Sequence, residues 1–208
     1  MPQTDFSQLP DEQLMDALGK GQHQAFEELL RRYEAKVLTF CYAFTRNRQT
    51  AEDLGQETFL RVFRNAARYQ PLAKFTTWLY KIAANLCIND LKKTKLRPHL
   101  SLEEPAGMDA EGSKIIDRVA GGQETPLSAA ERIEIQGLLQ KAIDHLPDDQ
   151  RTTLVLVEYH HLQYQEAAEV LGVSVSAIKM RVKRARETLS HSLRILKAEA
   201  GGRDSQGA

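Results

Sequence analysis

Cysteine is almost absent from this chain: Cys41 and Cys87 are the only two in 208 residues, and each sits in an apolar helical pattern. Two thiols far apart in sequence give no multi-cysteine disulfide framework and no Cys/His zinc spacing, and buried, reduced thiols are the preferred reading over a disulfide. Charge of one sign is also missing, because 28 Lys and Arg are balanced by 28 Asp and Glu. Net charge therefore gives no reason to expect nucleic-acid binding. No window approaches the roughly 20 apolar residues that cross a bilayer. The N-terminus lacks a basic run followed by an apolar stretch, so no signal peptide and no membrane insertion are expected, and the location expected is cytoplasmic.

A catalytic constellation is missing as well. His145, His160 and His161 are near one another in sequence, but no metal-ligand spacing and no acid-rich metal loop accompany them. They read as surface or helix-end residues. There is no phosphate-cradling Gly loop and no nucleophile motif. The expectation is a protein that is not an enzyme and carries no metal and no cofactor.

What the chain does contain is helical periodicity and unevenly placed charge. Leu14, Leu18, Phe26, Leu29, Leu30, Tyr33, Val37, Phe40, Cys41 and Phe44 recur at spacings of three, four and seven, the mark of amphipathic helices. No strand pattern and no internal repeat stands out, so the fold class is all-α. Residues 175–197 hold seven bases against one acid, and residues 74–97 hold six against one. Two basic segments on a neutral chain can neutralise phosphates locally while acids elsewhere limit indiscriminate DNA binding.

The punctuation divides the chain. Gly19 and Gly21 separate a short first helix from a longer second one. Thr50 with Asp53 reads as a variant capping box opening a third, along which Leu54, Phe59, Val62, Phe63 and Ala66 face inward. Pro71 makes 68–75 a loop, and a fourth helix carries Phe75, Trp78, Leu79, Ile82, Leu86 and Leu91 into Lys92, Lys93 and Lys95. On that helix Trp78 reads as core, because it shares a face with Ile82 and Leu86. Between 97 and 126, Pro, Gly and acids accumulate and aromatics vanish, which reads as a flexible linker with one short helical turn at Ile115, Ile116 and Val119. The boundaries expected are thus 1–96 for a first domain, 97–126 for the linker, 127–198 for a second domain and 199–208 for a disordered tail. Ser128 with Glu131 opens the second domain, Pro147 ends its first helix, and Asp148 is expected to cap the next.

Residues 164–189 carry the strongest motif. A helix-turn-helix needs a short helix, a tight turn and a second helix that can enter the major groove. Ala167 and Ala168 allow close packing, Gly172 permits the left-handed backbone that ends the first helix, and Ser174 can cap the second. Val175, Ile178, Val182, Ala185 and Leu189 form one apolar stripe. Ser176, Lys179, Met180, Lys183, Arg184 and Arg186 occupy the other faces. Lys179, Met180 and Lys183 are the candidates for base edges, and Arg181, Arg184 and Arg186 for phosphates.

In the first domain, aromatic Phe75, Trp78 and Tyr80 lie beside Asn85, Asn89 and a basic helix end. Stacking faces, base-reading amides and backbone-tracking lysines together suit single-stranded DNA. The bland alternative is that Phe75 and Trp78 fill a small helical core, and for Trp78 that is the favoured reading.

These runs carry a resemblance. The segment Ala51-Glu-Asp-Leu-Gly-Gln-Glu-Thr-Phe-Leu-Arg-Val-Phe63 resembles the second conserved helix of the extracytoplasmic-function (ECF) sigma factors, RpoE-like group. Phe75-Thr-Thr-Trp-Leu-Tyr-Lys-Ile-Ala-Ala-Asn-Leu-Cys-Ile-Asn-Asp-Leu-Lys-Lys93 is similar to the promoter-melting helix of that family. Leu146-Pro-Asp-Asp-Gln-Arg151, Tyr164-Gln-Glu-Ala-Ala168 and Lys179-Met-Arg-Val-Lys-Arg-Ala-Arg186 look like its fourth region. The resemblance spans about 10 to 195, in order. It implies a sigma region 2 bundle and a sigma region 4 helix-turn-helix. Asp53, Leu54, Gln56 and Glu57 would dock on the clamp helices of the polymerase large subunit, with the flap as a further contact. Tyr69, Gln70, Lys74 and Phe75, with Asn85, Asn89, Lys92 and Lys93, would serve the minus-ten element. Ser176, Lys179, Met180, Arg181, Lys183, Arg184 and Arg186 would serve the minus-thirty-five element. The implied partners are core RNA polymerase, promoter DNA and an anti-sigma factor, the free protein being a monomer and its regulon stress or envelope responsive.

Two departures from the family pattern stand out. Gly55 replaces a larger apolar residue, which weakens its helix by about 1 kcal/mol. The loop Gln70-Pro-Leu-Ala-Lys74 lacks the usual small and charged residues, so its base preference is not inherited. A free-standing regulator whose first domain senses a ligand or dimerises is the competing reading. The aromatic and basic helix at 75–95 argues against it, because a sensor domain would not need one.

Overall fold

A computed structural model of the chain describes residues 5–96 and 141–203, and every regular element among them is helical. They divide into two compact units. The first is built from α1 (Asp11–Gly19), α2 (His23–Thr45), α3 (Arg48–Asn65) and α4 (Phe75–Leu96), with single 3-10 turns at Phe6–Gln8 and Ala66–Arg68.

Its core follows from the apolar spacing. Leu14, Met15 and Leu18 of α1, Leu29, Val37 and Phe40 of α2, Phe59 and Val62 of α3, and Phe75, Leu79 and Tyr80 of α4 are all buried. Aromatic edges knit the centre: Phe40 meets Tyr80 with ring centroids 5.3 Å apart, and Tyr33 meets Phe75 at 5.4 Å. Gly19 ends α1 where a Cβ would stand 3.0 Å from the Ala66 carbonyl oxygen, so the close approach of the 66–68 turn needs glycine there. Cys41 and Cys87 are free and fully buried in this core, as expected. The neighbouring Cys87 thiol, then burial, push the Cys41 thiol well above its ordinary pKa.

An ionic lattice holds the N-terminal segment. The Arg32 guanidinium donates to the Leu9 and Ser7 carbonyls at 2.9 and 2.8 Å, to Asp11 Oδ1 at 2.8 Å and to Glu28 Oε1 at 2.6 Å. Glu28, nine-tenths buried, also accepts two hydrogen bonds from Arg31. The Arg31 hydrogen bond and the neighbouring Arg32 outweigh burial and draw the Glu28 carboxyl down to about 2.

Several sequence expectations shift at this level. Helix α3 begins two residues before Thr50, because Asn47 is the N-cap and its Oδ1 accepts the Thr50 N–H at 2.8 Å. Phe63 does not face inward; it is 41% exposed, stacked on His23 and edge-on to Phe26. Trp78 is half-buried rather than core, its indole lying against Tyr69 at the edge of the bundle.

The second unit contains a helical stretch at 141–144, then α5 (Asp148–Leu154), a π-helical turn (Val155–Tyr159), α6 (Tyr164–Leu171) and α7 (Val175–Arg203). Asp148 does not cap α5. The N-cap is Pro147, and Asp148 is the first helical residue, accepting from Arg151 at 2.7 Å. Arg151 is itself buried and donates to the Leu146 carbonyl at 2.9 Å, so the turn before α5 is closed by a side chain four residues into the helix. Helix α7 continues to Arg203, past the point where the tail was expected to begin. The expected linker, its short helical turn at 115–119 and the Ser128–Glu131 capping box lie outside the described residues. Among the described residues no helix is long and apolar enough to cross a membrane.

Candidate nucleic-acid interface

Helix α3 buries Ala51, Gly55, Thr58, Phe59 and Val62 and turns its other positions outward. Spacing alone then puts Asp53, Gln56 and Glu57 on its open face, with Leu54 half-buried on one flank. Asp53 accepts from Gln49 at 3.3 Å, and Glu57 accepts from Arg61 Nε at 2.8 Å. That hydrogen bond holds the Glu57 carboxyl below its usual range. Beside this acidic turn, Phe26, Leu30 and Leu38 of α2 and Gly55, Phe59 and Leu60 of α3 line an apolar groove of about 350 Å³. An apolar groove bordered by acids suits a helix that carries both apolar and basic residues.

The C-terminal half of α3 changes sign. Arg61, Arg64 and Arg68 follow one another at helical spacing, and Arg61, Asn65 and Arg68 line the same concave face as Tyr69, Trp78 and Asn85. Sequence reading missed these residues. Their signal was available in the spacing 61, 65, 68, which runs from the end of α3 into the following 3-10 turn.

Helix α4 carries the matching surface. Its inner face holds Phe75, Leu79, Ala83, Leu86 and Cys87. Trp78, Ile82, Asn85, Asn89, Lys92 and Lys93 therefore fall on one outward stripe, recurring every three or four residues. Asn85, Asn89, Lys92 and Lys93 are all exposed. So are Gln70 and Lys74 in the loop before α4, where Leu72 at the tip is 89% exposed. Tyr69 is half-buried at the loop's base, edge-on to Trp78 at 5.0 Å, and its buried hydroxyl has no hydrogen-bond partner. Burial, helped by Glu12 and Asp11, raises its pKa, so the phenol remains a neutral donor.

Phe75 is the exception among the predicted contacts. Its ring is 1% exposed and packed on Tyr33, so it cannot stack on a base. The reason is register: Phe75 is four residues before Leu79 on the buried face of α4.

In the second unit the helix-turn-helix has the expected local chemistry. Gly172 adopts φ 65°, a left-handed conformation that ends α6. The Ser174 hydroxyl accepts the Ala177 N–H at 3.2 Å and caps α7. Ala167, Ile178, Val182, Ala185 and Leu189 are buried. Ser176, Lys179, Met180, Lys183 and Arg184 are left exposed near the start of α7, where a recognition helix presents its base-reading side chains. Arg181 and Arg186 are placed differently from the expectation. Arg181 pairs with Asp149 at 3.2 Å, and Arg186 is bonded to Glu158, which raises its pKa. Both are tied to acids of the helices packed behind α7, so their charge is already partly balanced. Among the described residues no group of three or more His, Cys, Asp or Glu could hold a metal ion.

Residues 29–97 match the family model of Sigma-70 region 2, and residues 136–189 match that of Sigma-70, region 4. The chain is 32% identical over 196 residues to the RNA polymerase sigma-H factor of Pseudomonas aeruginosa, covering 93% of this chain and 99% of that one. It is 35% identical over 177 residues to the ECF RNA polymerase sigma factor SigW of Bacillus subtilis, covering 85% and 93%. Among solved structures, the sigma factor RpoE in complex with the anti-sigma factor NepR from Bartonella quintana superposes with a TM-score of 0.61 at 21% identity, over 82% of this chain and 97% of that one, and at that identity bears on the fold alone. With an acidic face on α3, a loop and stripe of bases and amides, a capped helix-turn-helix, and relatives that match over nearly their whole length, the chain belongs to the extracytoplasmic-function family of RNA polymerase sigma factors.

Proposed function

We propose that this sigma factor divides promoter recognition among three faces. Asp53, Leu54, Gln56 and Glu57 on α3 hold the clamp helices of core polymerase, with the flap as a second contact for the other unit. Tyr69, Gln70 and Lys74 of the loop, with Asn85, Asn89, Lys92 and Lys93 of α4, capture and track the melted minus-ten element. Ser176, Lys179, Met180, Lys183 and Arg184 of α7 read the minus-thirty-five duplex, while Arg181 and Arg186 orient that helix. Chemistry supports the division: carboxylates face a protein, whereas amides and cations face nucleic acid. The observation that carries it is the switch of sign along α3, net acidic through Glu57, where Glu52, Asp53 and Glu57 outnumber Arg48, and basic from Arg61. The protein works in the cytoplasm, supplies no catalytic group to the polymerase, is a monomer until it meets core enzyme, and serves a stress or envelope regulon under an anti-sigma factor.

The test is the Asp53→Arg/Glu57→Arg double variant. Two charge reversals at the docking face are expected to weaken core-polymerase binding by at least about tenfold while duplex binding by α7 persists. Unchanged core affinity would remove the clamp assignment. Specific operator binding by the protein without polymerase would instead revive the free-standing regulator.

A further inference from the structure

Helix α4 begins at Phe75, and the Lys74 carbonyl accepts the Trp78 N–H at 3.2 Å, which makes Lys74 its N-cap. A lysine side chain offers three donors and no acceptor. It cannot satisfy the free N–H groups of the first turn, and the first turn contains no acidic residue. The missing acceptor comes from 63 residues earlier: Glu12 Oε1 accepts the Phe75 N–H at 3.0 Å. A carboxylate there also meets the positive end of the helix dipole.

Glu12 is itself held in place. Its neighbour Asp11 accepts from the Tyr33 hydroxyl and from Arg32, which fixes the start of α1 on α2. The Tyr33 ring in turn packs on Phe75 with centroids 5.4 Å apart. Two routes from α1 therefore converge on the same residue, one through the backbone N–H and one through the ring. Phe75 closes the loop whose exposed residues include Gln70 and Lys74, and its ring lies 6.4 Å from that of Tyr69 at the loop's other end.

From this geometry we infer that Glu12 is a positioning residue for minus-ten recognition, setting the first turn of α4 and with it the loop from Tyr69 to Lys74. The inference rests on the assignment of that loop to the minus-ten element. Glu12 touches no DNA in this account. It acts through Phe75, as an N-cap supplied from another helix.

The experiment uses the full-length chain with core polymerase and promoters varied at each minus-ten and minus-thirty-five position. It compares wild type, Glu12→Ala, Glu12→Gln and a Gln70→Ala/Lys74→Ala loop variant. Glu12→Ala is expected to lower transcription from the preferred minus-ten sequence about fivefold, the factor that loss of one ordinary N-cap would give. It should flatten the minus-ten preference while core affinity and the minus-thirty-five preference stay as in wild type. Glu12→Gln, which keeps an acceptor oxygen at the same reach, should recover most of the loss. Should Glu12→Ala not fold, Glu12→Ser removes the reach with a smaller perturbation and should show the same selective loss. Wild-type minus-ten preference in the Ala or Ser variant, with an altered preference in the loop variant, would overturn the role of Glu12 and leave the loop assignment standing. Equal losses in core affinity and at both elements would overturn it too, as the mark of a merely structural residue. No change of preference in either the Glu12 or the loop variants would sink the loop assignment, and the positioning role with it.

Discussion

Single residues in this protein do work that their neighbours in sequence do not announce. Glu28 reads as one more acid on an amphipathic helix, yet it is buried against Arg31 and Arg32 and its carboxyl is drawn to about 2. A folded-state pKa below the unfolded value near 4.5 means that the ionised form stabilises the fold. That stabilisation is complete above about pH 4.5 and is lost as pH falls through about 2. Glu28→Gln should therefore melt below wild type at pH 7, and the gap should narrow steadily between pH 4.5 and 2. A gap that does not change with pH would mean that the Arg–Glu cluster is not what Glu28 contributes. Gly55 makes the opposite case. It is buried in α3, but a Cβ placed on it would meet nothing closer than Val37 Cγ1 at 4.0 Å. With space for a methyl group and ordinary helical backbone, Gly55→Ala should raise stability by about 1 kcal/mol, read as a higher denaturation midpoint in urea. A lower midpoint would show that the helix needs the glycine for close approach, as Gly19 does at the Ala66 carbonyl.

At the scale of elements, periodicity told most of the story, and its failures have physical causes. The four helices of the first unit and the helix-turn-helix of the second were legible because their apolar residues recur at three and four. Trp78 and Phe75 were harder, since both lie on α4 beside apolar neighbours. Burial is decided by which face meets α2, and Phe75 faces Tyr33 while Trp78 faces Tyr69 at the bundle's edge. Long-range partners were beyond reach for the same reason: nothing local to α4 points to Glu12, and nothing local to α7 points to Asp149 or Glu158. Those acids separate Arg181 and Arg186 from Arg184, three arginines that sequence alone made equivalent. Arg184→Ala should weaken minus-thirty-five duplex binding and reduce its salt dependence with little change in melting temperature. Arg186→Ala should chiefly lower the melting temperature, because it leaves Glu158, which is mostly buried, without its cation. The two variants are separated by measuring both quantities, and identical behaviour would mean that the Glu158 contact does not set Arg186 apart.

At the scale of the whole molecule, charge sums to zero while its placement is strongly uneven. Balanced charge suits a factor that should not bind DNA avidly by itself, with recognition reserved for the complex with polymerase. Acids outnumber bases in α3 through Glu57, whereas bases predominate from Arg61 and on α4 and α7, the separation that the proposed protein-facing and nucleic-acid-facing surfaces require. Most of this candidate site was visible in sequence as ordered runs, including the exposed amides and lysines of α4 and the capped start of α7. The arginines of α3 were not, because they sit in a segment that reads as a protein-docking helix. The most direct test of the account is transcription from a promoter library by purified core polymerase, with and without this protein. The account predicts transcripts that depend on the protein and arise from promoters sharing two spaced motifs. No stimulation by a folded protein that binds core polymerase would contradict it.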